Sequence, residues 1–317
     1  MATLSATEIS ADVLDAFTTE TPILASFSTD LSSARAVYNS KIIAHIAVLP
    51  TLQTYDAVTG FANAATASTA LLQDVPVTMT WLKHAPTQVA YLDMIASQVD
   101  LYKEAVRYPA YVLGKGLIDY ALTFFNGTGG INFSNKLIQA ANNFDVTTIE
   151  AVRSALNTQK AAPIGRWGIV STPAAQSLQD DQRMMNSLFF GQKNQGTALR
   201  TFKDVGGFAN IFEYPDFPSN GINLNSAFGD RRAVTVATRI PELSAFAGNA
   251  PDLPQIAKWE VVTSPEGGMS LLSIAWIQAG TFNINYTTTF LAGVTAGNQA
   301  GNAGTATDNA GLLVTSN

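Results

Sequence analysis

The chain has 317 residues, of which 47% are hydrophobic and only 13% charged, with a formal net charge of −6. That length suffices to bury roughly three-quarters of the surface of the unfolded chain, as one large domain or two modest ones. Cysteine is absent, which excludes disulfides, thiolate metal centres and cysteine nucleophiles. A charge fraction about half the usual share means either that much of the surface faces other protein or that neutral Ser, Thr and Asn cover it.

No Lys or Arg precedes Arg35, so the basic start of a signal peptide is missing. The same segment carries Glu8, Asp12, Asp15, Glu20 and Asp30, most of the net charge. Ile9, Val13, Leu14 and Phe17 fall at helical spacing and predict a short amphipathic helix over 6–18, capped by Ser5 or Thr7. Periodicity is then lost through about Ala36, as in an extended arm.

From Lys41 the period becomes two. Ile42, Ala44, Ile46 and Val48 alternate with Ile43, His45 and Ala47, and Val75, Val77, Met79 and Trp81 alternate with Thr78 and Thr80. Both runs predict strands. The stretch between them, Thr51 to Asp74, is too long for a hairpin turn, and compact domains rarely keep such a loop without a use for it. Two long strands with an excursion at their tip predict an arm reaching away from the body.

A helix is expected to open at Pro109 and carry Leu113, Leu117, Tyr120 and Phe124 on one stripe, with Gly127 as its stop. Gly114 and Gly116 weaken it or allow close packing. A second helix is expected from the capping-box spacing Thr147-Thr148-Ile149-Glu150, continuing through Val152 and Leu156. Trp167–Val170 reads as a strand, and Ser171-Thr172-Pro173 opens a further helix. The last third is β-rich: Val234 and Val236, then Trp259–Val262 and Leu271–Trp276 around a hairpin connection, then Phe282, Ile284 and Tyr286. Residues 295–311 are rich in Gly, Ala, Asn and Thr and predict a mobile or tethered tail. Gly267 to Thr307 holds no charge, but polar residues interrupt every window long enough to span a membrane. The chain reads as soluble and intracellular when made.

Chemistry finds little footing. The two histidines, His45 and His84, both lie on the candidate strands. There is no H-E-x-x-H pair and no G-x-S-x-G elbow. Gly127-Thr128-Gly129-Gly130 follows a helix rather than a strand, the wrong order for a phosphate cradle, and Gly114-Lys115 lacks the earlier glycine of a P-loop. Asp180-Asp181 has no spaced carboxylate partner for a cation and reads as a solvated helix end. Asn126, Asn132 and Asn285 stand in glycosylation spacings that mean nothing without a secretory signal. Arg231-Arg232 is an isolated basic pair, without the patch that nucleic-acid binding needs. No catalytic, cofactor or metal residue is assigned.

Residues 166–241 carry a resemblance. Arg166-Trp167-Gly168-Ile169-Val170-Ser171-Thr172-Pro173-Ala174 is followed by Leu178, then by Gly206-Gly207-Phe208-Ala209-Asn210-Ile211-Phe212-Glu213-Tyr214-Pro215 and Asp216-Phe217-Pro218. The run closes on Ala227-Phe228-Gly229-Asp230-Arg231-Arg232-Ala233-Val234-Thr235-Val236-Ala237-Thr238-Arg239. This succession resembles the major capsid proteins of tailed bacteriophages. The resemblance implies an α+β Hong Kong 97-type capsid fold. Its parts would be an N-terminal arm over 1–36, an extended β-hairpin loop over 37–95, and a peripheral domain over 96–140 and 256–294 with its spine helix near 105–126. An axial α/β domain would occupy 141–255, and a flexible C-terminal tail 295–317. Two departures stand out: Gly229 stands where many relatives have histidine, and the chain continues past Val294, where such relatives often end.

The function so implied is that of a structural subunit and not an enzyme. Copies would assemble as pentamers and hexamers into an icosahedral head shell that encloses DNA without sequence-specific binding. Candidates for contacts between copies are Phe17 and Ile23 in the arm, Tyr55, Asp56, Phe61, Leu71 and Leu72 in the loop, and Arg183, Arg231 and Arg232. No cofactor and no membrane are implied. Scaffolding, portal or decoration proteins are possible partners, and no internal scaffolding domain is expected ahead of the arm. The subunit would be made in the cytoplasm of the bacterial host and end in the virion. Two alternatives stay open: an encapsulin-like nanocompartment shell, which shares the fold, and a non-assembling β-rich binding protein.

Overall fold

A computed structural model of the chain describes residues 22–47, 58, 72–89, 100–125, 133, 136–159, 161–181, 201–218, 223–242, 258–263, 270–277, 284–297 and 311–316. After a 3-10 turn at Pro22–Ser26 come β1 (Ser28–Ala36), β2 (Lys41–Ala47), β3 (Leu72–Thr78), β4 (Trp81–Val89) and α1 (Asp100–Thr123). Next are β5 (Lys136–Ile138), α2 (Val146–Thr158), β6 (Trp167–Ser171), α3 (Thr172–Asp180), β7 (Thr201–Val205), β8 (Phe208–Tyr214) and β9 (Leu224–Gly229). The last strands are β10 (Val234–Pro241), β11 (Lys258–Thr263), β12 (Ser270–Ile277), β13 (Ile284–Ala296) and β14 (Gly311–Thr315).

The strands form two large sheets and a ribbon. The first sheet runs β1-β10-β13-β12-β11, with β4 on the other side of β13; β1 and β10 are parallel and the remaining pairs antiparallel. The second runs β5-β14-β9-β6-β8-β7. Among the described residues β2 and β3 pair only with each other. The second sheet is apolar on both faces, which is why β6, β9 and β14 read as unbroken buried runs rather than alternations. One face packs against α2 and α3 through Ile149, Val152, Leu156 and Leu178. From the other, Trp167, Ile169 and Leu313 join a core shared with α1 and the first sheet. Trp167 is the centre of that junction: its ring meets Phe27 edge-on at 5.0 Å, and its Nε1 donates to the backbone oxygen of Asp230 at 2.8 Å.

Several elements differ from the sequence reading. The first helix starts at Asp100 and runs through Pro109. A proline inside a helix costs about 3 kcal/mol, and the buried stripe Leu113, Leu117, Ile118, Ala121, Leu122 and Phe125 offsets it. The N-cap of α2 is Asp145 rather than Thr147, closing a capping box with Thr148. Residues 28–36, expected as part of an extended arm, form a strand hydrogen-bonded into the first sheet of the same chain. β10, expected in the axial domain, also belongs to that sheet. The flexible tail needs correction at its end: Gly311–Thr315 is an inner strand of the second sheet, and all five residues are buried. The predicted helix over 6–18 lies outside the described residues.

The Gly206-Gly207 turn between β7 and β8 has φ of 58° and 88° at its two glycines. Both angles are positive, as a two-residue hairpin matching the right-handed strand twist requires.

Candidate assembly interface

The ribbon of β2 and β3 is the feature that the body of the protein explains least. Its register pairs Lys41 with Thr78, Ile43 with Pro76, His45 with Asp74 and Ala47 with Leu72. Alternation gives it two faces. Ala44, Val75 and Val77 are buried, and Ala44 and Val77 pack with Met79 onto Ala237 of β10 and Leu291 of β13. The opposite face shows Lys41, Ile43, His45, Asp74 and Pro76 to solvent, with Ile43 56% exposed. Across that face His45 Nδ1 lies 2.8 Å from Asp74 Oδ1. Pro76 has no N–H to offer on its edge, a common way to keep an open strand from indiscriminate pairing.

The root of the ribbon is tied firmly. Asn39, at φ 64°, turns the chain from β1 into β2, and its N–H donates to Met79 O at 2.9 Å. The Met79 N–H donates to Ser40 O at 3.0 Å. Gly293 on β13 lets the ribbon cross close above: a β-carbon there would stand 2.5 Å from Thr78 O and 2.6 Å from Val77 Cγ1. Beyond this root an isolated two-stranded ribbon is marginal in water, so a well-seated base with an exposed β-branched face is suited to cover by another surface.

α1 is anchored on both sides. Trp81 packs on Phe290 at 4.9 Å, and its ring lies over Gly116 of the helix. Lys115 donates to Asp216 at 2.6 Å and to Asp119 at 3.2 Å, and the Tyr214 hydroxyl donates to the other oxygen of Asp119. Burial first, then the Asp119 carboxylate, push the Tyr214 phenol far above its ordinary range. The Asp216 hydrogen bond raises Lys115 against the lowering effect of its partial burial. These charges hold α1 to the end of β8; Tyr111 and Val112 stay exposed on the helix.

The residues expected to make contacts fall in three groups. Phe17, Tyr55, Asp56, Phe61, Leu71 and Arg183 lie outside the described residues. Leu72 opens β3 opposite Ala47, and Arg231 is exposed. Ile23 and Arg232 need correction, because both are engaged within their own chain. Ile23 is buried in the core with Phe27. Arg232 binds the buried Asp230 through its backbone N–H at 2.8 Å and its guanidinium at 2.6 Å, and Asp230 also accepts from Ala162 N at 3.0 Å. Sequence reasoning missed Ile43 as a surface residue, although apolar residues on both sides of the 41–48 alternation were its signal.

Asp181, weighed above as part of a cation site, accepts the first N–H of α2 from Val146 at 2.9 Å. Among the described residues no three His, Cys, Asp or Glu side chains gather as metal ligands, and no described helix is long and apolar enough to cross a membrane.

Neither a family model nor a curated protein sequence matches the chain. Solved structures do. A structure from Microbacterium phage Oxtober96 is 13% identical, with a TM-score of 0.51 over 92% of this chain and 90% of that one. The capsid structure of the cyanophage P-SCSP1u is 10% identical, with a TM-score of 0.50 over 90% of this chain and 86% of that one. The chain has the Hong Kong 97-type capsid fold. A virus-like particle from Pyrococcus furiosus also aligns, at 9% identity over 97% of both chains, but its TM-score of 0.46 is too low to argue from. Within the capsid fold the mixed α+β architecture expected from residues 166–241 stands.

Proposed function

We propose that the chain is a major capsid protein, the repeating structural subunit of a tailed-phage head, and that it acts by assembly rather than by catalysis. The observation that carries this reading is the ribbon, rooted on the first sheet by Ala44, Val77 and Met79 while its Ile43 face stays open. It stands within a fold shared with phage capsid structures. The first sheet with α1 would be the peripheral domain, and the second sheet with α2 and α3 the axial domain. Each copy would offer its ribbon, with the residues 48–71 that join its two strands, to a neighbour, and receive another copy's ribbon elsewhere. Such head-to-tail contacts close into rings and shells by repetition. Each can be weak, because many engaged together give avidity beyond any one. The five carboxylates between Glu8 and Asp30 would be repelled by enclosed DNA and are better suited to meeting protein.

Deleting residues 55–70 separates folding from assembly. The variant is expected to remain folded and soluble, with an unchanged melting transition, yet to give no closed particles in negative-stain electron microscopy. Closed particles indistinguishable from those of the full chain would overturn the role of the loop. Particles that form but enclose protein instead of DNA would move the reading to a nanocompartment shell.

A further inference from the structure

The last described strand of the chain is an inner strand. In β14, Leu313, Val314 and Thr315 pair in parallel with Lys136, Leu137 and Ile138 of β5. On its other side Gly311–Val314 pairs antiparallel with β9 from Gly229 to Ser226. The two faces of β14 serve different cores: Leu313 enters the cluster shared with α1, and Leu312 and Val314 enter the cluster beneath α2 and α3. Gly311 lies flat against the Phe133 ring, so close that a β-carbon would overlap it. Without β14, β5 has no other pairing partner among the described residues, an edge of β9 is unpaired, and two apolar clusters open to water. The space between β5 and β9 is therefore an acceptor for one extended segment with apolar residues on both faces.

Residues 298–310 join Gly297 to Gly311 and carry one charge, Asp308. Fully extended, such a stretch spans about 45 Å, more than the roughly 30 Å width of a small domain. The ladder and both apolar faces are identical whether β14 comes from its own chain or from another, and exchange of an identical element is a low-cost route to linked copies. Crowding of copies side by side would raise the local concentration of the donated strand. We propose that the β5–β9 slot is a strand-acceptor site that takes residues 311–315 of a second copy of this chain. The inference does not depend on shell formation, since exchange would link any two copies held close together.

Because the chain has no cysteine, introduced cysteines report without background. Ser226 and Val314 are direct partners across β9 and β14, and facing residues of antiparallel strands lie about 4.5–5.5 Å apart at Cα, within disulfide reach. Two full-length variants, Ser226→Cys with one affinity tag and Val314→Cys with another, are co-expressed, oxidised and run on a non-reducing gel. The expected result is a two-chain band bearing both tags, at least tenfold stronger than dimers of either variant alone. The single-chain double variant S226C/V314C is the geometric control and is expected to close within itself. Closure of the double variant with no mixed band from the co-expressed pair would overturn the proposal. If either single variant loses its cooperative melting transition, Ala227→Cys with Leu313→Cys, the next facing pair, replaces it and is read the same way. Light scattering on the unmodified chain distinguishes the two readings, since mixed dimers without closed shells would leave strand exchange standing and the capsid reading refuted.

Discussion

Arg239 of β10 holds Asp30 of β1 at two points: Nη1 donates to its backbone oxygen at 2.9 Å, and Nη2 donates to its carboxylate at 2.8 Å. The pair joins residues 209 positions apart in the sequence. The side chains are 11% and 30% exposed, enough shelter for the bonds to count and enough water to weaken them. β1 is otherwise mostly polar, with the sequence STDLSSARA, so its ladder and this pair dock it together with Leu31, which packs on the core.

Arg239→Ala is therefore expected to cost about 1–2 kcal/mol, after discounting the usual worth of charge-assisted hydrogen bonds for partial exposure. Amide exchange should speed up first in residues 28–36, because the edge strand opens before the sheet does. Arg239→Lys should recover part of the loss, having the charge but not the fork that spans both acceptors. Exchange unchanged in 28–36 would show that the ladder alone holds β1.

Gly293 sets the seat of the ribbon. In Gly293→Val the new side chain meets Thr78 backbone and Val77, and backbone cannot swing aside as a flexible side chain would. A loss of about 1–3 kcal/mol is expected, the usual range for overpacking. Exchange should rise in 41–47 and 72–78 ahead of global unfolding. A variant with wild-type protection in both strands would mean the ribbon does not depend on this crossing.

Asp145 gives the fold an acid-sensitive point. Burial alone would raise its carboxyl, but hydrogen bonds from the Thr147 hydroxyl and from the hydroxyl and backbone N–H of Thr148 outweigh burial and hold it below its ordinary value of 3.8. A depressed folded-state pKa contributes stability that is present above the unfolded value and lost as pH falls through the folded one. Asp145→Asn should therefore flatten the stability profile below about pH 4, and Asp145→Ala should cost about 1 kcal/mol at neutral pH through loss of the cap. Equal acid sensitivity in the wild type and the Asn variant would contradict this.

The strands of the ribbon were legible because Ile42, Ala44, Val75 and Val77 alternate against a single buried face. The core of the second sheet was legible for a different reason: the order of motifs from Arg166 to Arg239 carries it, although single strands such as β9 show no period. β1 was hidden because a polar strand held by hydrogen bonds leaves no apolar pattern. β14 was missed because an apolar run as short as Leu312-Leu313-Val314 shows no period of its own after a Gly- and Asn-rich stretch. The start of α1 was obscured by Pro109, whose local cost is overridden by burial far along the helix. The exposed face of the ribbon was less legible, since Ile43 alternates like a buried residue. Arg232 looked free because a buried partner two positions away, Asp230, gives no sign in sequence of being buried.

The central claim, that this chain closes into shells by contacts among its own copies, is tested most directly by measuring the mass and shape of the purified full-length protein. Light scattering and negative-stain electron microscopy on one sample, expressed in bacterial cells, suffice. The account predicts closed particles of many copies and uniform diameter. A stable species of one or a few chains at every protein concentration and ionic strength tested would contradict it.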